Sequence, residues 1–161
     1  MPNLLLAIAN FLHLMATIVW IGGMIIGRLV ITPALAGLPD DTRSAVARAI
    51  GQRSAAYTYG AIVVFLITGL AMLSQNANFA GVFVFDSAWT RLILVKHVAV
   101  VALILSTAYV NTAVARHLQI DDDAAERARW AERRQDVGDV NALLGLIILG
   151  LTALATAIPP A

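Results

Sequence analysis

The chain has 161 residues, 60% of them hydrophobic and 13% charged, with a net charge of +1 and a mean hydropathy of +0.80. So apolar a composition excludes a soluble domain of this size, and so small a net charge implies no nucleic-acid partner. Cysteine is absent, which excludes disulfides, thiolate metal sites and thiol catalysis.

The opening "MPNLLLAIANF" lacks the basic lead and small-residue cleavage site of a signal peptide, and its apolar run continues for some two dozen residues. It is expected to be a retained span, Leu4–Gly27. Helix is expected to continue past Arg28 as far as Thr32-Pro33, because proline disfavours helical geometry in the residue before it. Within "FLHLMATIVWIGG" sits His13, a titratable side chain that needs a partner if it is to lie among lipid-facing residues. At helical steps from it come Asn10, Thr17, Trp20, Met24 and Gly27, with Gly22 and Gly23 alongside, a stripe expected to face protein. Glycines on such a stripe permit close approach of a helix or a flat macrocycle, and helix packing is their ordinary role, as it is for Trp20 and Met24.

"DDTRSAVARAIGQRS" offers Asp40 or Asp41 as a helix cap and feeds into a second span, Ala55–Leu73, with Tyr57 and Tyr59 in an aromatic belt. "SQNANFAGVFVFDS" has aromatics but no lysine or arginine, and suits an interfacial loop. The third span, Ala88–Ala115, carries Arg91, Lys96, His97 and Asn111, with His117 expected to be solvated at its far end. "IDDDAAERARWAERRQDVGD" has the mixed charge of a solvated helix, a connection over 121–138 leading to a fourth span, Asn141–Ile158, that ends at Pro159-Pro160. Asn111, Asn141 and Arg28 are candidates for a polar cluster, or simply for hydrogen bonds between helices.

These elements predict an all-α integral membrane protein in one domain, a four-transmembrane-helix up-and-down bundle in contact with the lipid bilayer. Nine arginines (Arg28, Arg43, Arg48, Arg53, Arg116, Arg127, Arg129, Arg133, Arg134) fall in the first and third connections, against Arg91 and Lys96 on the other side. The positive-inside rule then places both termini outside, in a bacterial-type inner membrane, with the first and third spans running the same way.

Shared direction allows depths to be compared. His13 lies nine residues into its span and His97 nine into the third, each about 13 Å along its helix, whereas counted from Arg28 and Arg116 His97 lies about 6 Å higher, so the two are level or one turn apart. In an up-and-down bundle those spans are diagonal partners, about 11–14 Å apart, a gap suited to a flat cofactor held from both sides. Haem b fits, with neutral imidazoles in both axial positions of its iron. Otherwise His13 is a core histidine hydrogen-bonded to a hydroxyl or a backbone carbonyl, and His97 is wetted near the outer interface. Lys96 points about 100° from His97, so one of the pair at most aims at a haem centre. Imidazole is the better neutral ligand at physiological pH, which favours His97 and leaves Lys96 to pair with a propionate or to snorkel outward. Arg91, about 9 Å nearer the outer surface than His97, is a further propionate partner or an interfacial anchor.

"HLMATIVWIGGMIIGRLVITPAL" resembles the first span of the copper resistance protein D (CopD) family, with its histidine followed by Trp-x-Gly-Gly. "FLITGLAML" is similar to that family's second span with its Thr-Gly, and "SAWTRLILVKHVAVVALILSTAYVNTAVARHL" to its third. The resemblance covers about residues 10 to 118 and carries His13, Trp20, Gly22, Gly23 and Lys96, while His97 departs from an aliphatic position. It implies a four-helix membrane module linked to copper handling, distantly like the haem-associated HemJ-type protoporphyrinogen oxidases. Larger CopD proteins have further spans, and this chain has only the core module.

Three functions follow as expectations. One is haem-based electron transport, alone or as a small subunit beside a membrane redox partner or larger complex, with His13, His97, Lys96, Arg91, Trp20, Gly23 and Met24 around the cofactor and His13 and His97 on the metal. Another is copper permeation along His13, Met24 and His97, imidazole and thioether being ligands that Cu(I) accepts. The last is a porphyrinogen oxidase with His13 and Lys96 near the chemistry. No acid/base or nucleophile constellation in the sequence names an enzyme.

Overall fold

The computed structural model describes residues 4–79, 81, 86–120 and 123–159. They form four long helices with no strand among the described residues. The first, α1, runs Leu4–Ala36 and the second, α2, Asp40–Ser74. The third, α3, is Ala88–Tyr109 continued by Val110–Val114 and Ala115–Ile120, and the fourth, α4, is Ala124–Thr156. Each exceeds the roughly 20 residues that cross a hydrocarbon core, and each is apolar enough to do so. The protein is a multi-pass membrane protein.

The helix ends show how local chemistry starts and extends each span. Asp40 and Asp41 do not cap α2. The cap is Pro39, whose carbonyl accepts from Arg43 N at 2.8 Å, and the two aspartates sit in the first turn, where the positive end of the helix favours them. Asp40 also pairs with Arg43. Ser87 starts α3 with a capping box: its hydroxyl accepts from Thr90 N at 3.1 Å, and Thr90 Oγ1 accepts from Ser87 N at 3.1 Å. Asp123 caps α4 by accepting from Ala125 N at 2.9 Å. The charged connection and the fourth span, expected as separate pieces, form one unbroken helix, because no proline interrupts it and Gly138, though followed by Asp139, lies within the helix. Residues 121 and 122, and 80 and 82–85 of the interfacial loop, lie outside the described residues.

Helix α1 passes through Thr32-Pro33 instead of stopping there. The turn before it, Gly27–Ile31, is π-helical, so the regular i to i−4 ladder that proline would interrupt is already opened, and Thr32 Oγ1 donates to Gly27 O at 2.9 Å. A second π segment, Ile18–Gly22, follows Thr17, whose hydroxyl donates to His13 O at 2.7 Å. Such a wide turn puts an extra residue on one face. Trp20 and Ile21, neighbours in sequence, are accordingly both buried.

Packing divides the chain into two compact units, one built on α1 and α2 and the other on α3 and α4. In the first, Ala16, Trp20 and Ile21 are buried on α1 and Ala61, Ile62, Phe65 and Thr68 on α2. In the second, Val100, Leu103, Thr107 and Val114 of α3 and Asn141, Ile148 and Ala155 of α4 are buried, both sets at helical spacing. Large apolar side chains such as Leu5 (78% exposed), Ile18, Ile67, Val98 and Leu105 point outward, a pattern suited to lipid. Lipid tails are as apolar as leucine, so close packing and hydrogen bonds, and not apolar burial, must hold the helices together.

Candidate functional site

What holds His13 in its span is α2, through a hydroxyl and a backbone carbonyl, the partners expected of a core histidine. Its ring stacks on Phe65 with centroids 4.3 Å apart and planes 26° from parallel. Its Nδ1 lies 3.0 Å from Thr68 Oγ1 and 3.1 Å from Phe65 O. The Phe65 carbonyl only accepts, and the Thr68 hydroxyl spends its proton on Val64 O at 2.6 Å. Both partners therefore ask Nδ1 to donate. That assigns the Nδ1–H tautomer and puts the imidazole lone pair on Nε2.

Gly69 completes the seat. A Cβ built there would lie 3.2 Å from His13 Cε1, a tight contact that would make the ring give by a few tenths of an ångström, and glycine lets it settle against the helix without that shift. Trp20, 1% exposed, meets Phe65 edge-on, with centroids 5.4 Å apart. Its indole Nε1 is buried and donates to no acceptor. Phe65 thus joins His13 and Trp20, two turns apart on α1, into one aromatic group.

The other α1 candidates stand apart from this group. Met24 is half-buried, and Gly23 is exposed, with nothing within 4 Å of where a Cβ would be, so no close approach requires its glycine. Asn10, expected on the protein-facing stripe, is exposed, because the buried edge of the first turns runs through Ala9, His13 and Ala16 and leaves Asn10 on the flank. Phe65, Thr68 and Gly69 were not singled out as site residues from the sequence. The signal was the Thr-Gly of "FLITGLAML", one turn after a phenylalanine.

In the second unit His97 is half-buried and its Nδ1 donates to Ile93 O, 2.7 Å away on its own helix. That too leaves the lone pair on Nε2. Lys96 is half-buried and Arg91 exposed. His117 is not simply solvated: it stacks on Trp130 of α4 at 4.0 Å, 4° from parallel, and the Arg133 guanidinium lies 5.6 Å from the same indole. Among the described residues no three His, Asp or Glu side chains gather as a metal cage. No protein-family model, no curated protein and no solved structure matches the chain.

Proposed function

We propose that this membrane protein binds haem b with His13 Nε2 as an axial ligand and His97 Nε2 as the second, and that it carries electrons alone or as a small subunit of a redox complex. The observation that carries the proposal is the seat of His13. Histidines that bind metals commonly give the other ring N–H to a carbonyl or a similar acceptor, which fixes tautomer and orientation and raises the basicity of the ligating nitrogen. Thr68 and Phe65 O do this for His13.

Trp20 supports this reading. Trp20 Nε1–H is a buried donor without an acceptor, and a polar substituent of a bound macrocycle would supply one. Lys96 and Arg91 are the cations assigned to propionates. Haem supplies one-electron redox chemistry at a potential that the axial ligands and their hydrogen bonds tune. The chain's own contribution is to fix each imidazole in the tautomer that leaves Nε2 for the metal. The nine-to-two distribution of basic residues supports termini outside the cell and an inner-membrane location.

The test is a visible spectrum of protein purified from haem-replete cells. Stoichiometric b-type haem, lost in His13→Ala, is the expected result. A folded, colourless preparation would overturn the proposal, and if copper were present instead it would restore the permeation function.

A further inference from the structure

We infer that a groove between α1 and α2 seats an acyl chain of an anionic phospholipid, with the lipid's phosphate on Arg53 and Tyr57, a site independent of His13 and of any cofactor. The groove has a volume of about 360 Å³, and Tyr57 is the one residue of its lining with a polar side chain. Such a volume lies at the low end of the roughly 300–1,000 Å³ of small-molecule sites. Ala16 of α1 and Ala61 of α2, both buried, lie at its base, and α1 adds Leu12, Met15 and Val19, all exposed. On α2 a side chain at Gly60 would take up part of this space, because a Cβ there meets nothing within 4 Å. An empty slot beside lipid forfeits dispersion contacts that an acyl chain supplies.

The α2 side of the groove is a single stripe that leads to a cation. At 100° per residue, Ala56, Tyr57, Gly60 and Val64 all fall within about 60° of the direction of Arg53. Arg53 therefore stands on the groove's own face, one turn beyond its last lining residues and just before the apolar run that starts at Ala55. It is exposed and takes part in no ion pair or hydrogen bond among the described residues. Tyr57, 72% exposed, has no hydrogen-bond partner among them either. Apolar slot, then hydroxyl, then cation is the order of a phospholipid read from its acyl chain to its phosphate. Basic sites between membrane helices are suited to anionic headgroups for this reason.

Charge also separates lipid from a second copy of the chain. All copies insert the same way round, so a copy seated face to face would bring its own Arg53 to the same depth, like charge against like. A neutral chain without a headgroup would fill the slot and leave Arg53 unanswered. An anionic lipid meets both halves of the site.

Native mass spectrometry of the full chain tests the inference, with the protein released from micelles that hold equal amounts of phosphatidylglycerol and phosphatidylcholine of the same acyl chains. Bound lipid is counted by mass whether or not haem is present. Phosphatidylglycerol is expected to be retained about fivefold over phosphatidylcholine, the usual worth of one basic side chain at an anionic surface. Arg53→Ala should abolish the preference, and Arg53→Lys should keep it. So should Arg48→Ala, which lies about 140° away around α2. Gly60→Leu, and Met15→Phe from the α1 side, should lower retention of both lipids by filling the groove. Equal retention in the wild type, a preference that Arg53→Ala leaves untouched, or retention that neither Gly60→Leu nor Met15→Phe lowers would each overturn the inference. A lipid-free pair of chains, separated by Gly60→Leu, would overturn it in favour of a second copy.

Discussion

His13 and His97 carry their proton on the same nitrogen for different reasons. His97 gives it to the carbonyl four residues back on its own helix, an arrangement that asks nothing of any other helix. His13 gives it to groups 52 and 55 residues away, stacks on Phe65 and is seated against Gly69. The second arrangement took three positions of α2 to build, and none of them is explained by α2 alone. A histidine oriented by its own turn can swing with that turn. One oriented across two helices is held in place, which is the condition for ligating a metal in a defined direction.

Substitutions at the two sites separate them. The largest effect is expected from His13→Ala, which removes the haem signal altogether while the protein still inserts in the membrane. Haem retained in that variant and lost in His97→Leu would reverse the ranking. His97→Leu is expected to leave haem bound but to change its axial ligation, read as a shift of the reduced spectrum or of the midpoint potential.

Gly69→Val tests the seat without touching a ligand. A side chain there strikes the His13 ring, an overpacking expected to cost about 1–3 kcal/mol and to lower haem occupancy in a titration. No branched side chain should be tolerated at Gly69, whereas Gly23→Val, in open space, should leave occupancy unchanged. Thr68→Val is milder. Phe65 O remains as acceptor, so the loss is about 0.5–1.5 kcal/mol of stability, with a less basic imidazole and a raised midpoint potential as the spectroscopic sign. The smallest effect belongs to Lys96→Leu, which should keep the spectrum and lower the potential, since a cation near haem favours the electron-rich state. If Lys96→Leu abolishes low-spin haem and His97→Leu does not, lysine is the ligand.

How much of this was legible in the sequence depends on distance along the chain. Span number and the long apolar runs follow from hydropathy, which needs no partner. The cap Ser87 with Thr90 and the cap Asp123 are local too, written in three or four residues. Aspartates 40 and 41 misled because proline before them already supplied a fixed backbone angle and a carbonyl to begin the ladder. The π segments were invisible, since what marks them is a threonine hydroxyl choosing a carbonyl four or five residues back, and most helical threonines do that without widening a turn. His13 announced itself as a residue in need of a partner. Its partners did not, because one sequence does not say which face of α2 meets it. The Thr-Gly pair could be quoted as a pattern long before it had a reason.

Helix α4 has a mechanical consequence. Its 33 residues make a rod about 50 Å long, some 20 Å more than the hydrocarbon core it crosses, with no loop between the charged end and the apolar end. Trp130 and Arg133 lie toward the charged end of that rod, where Trp130 stacks on His117 of α3, and Asn141 and Ile148 lie further along the same piece. A shift of Trp130 against His117 would therefore turn Asn141 against α3 as well, with no hinge in between to absorb the torque.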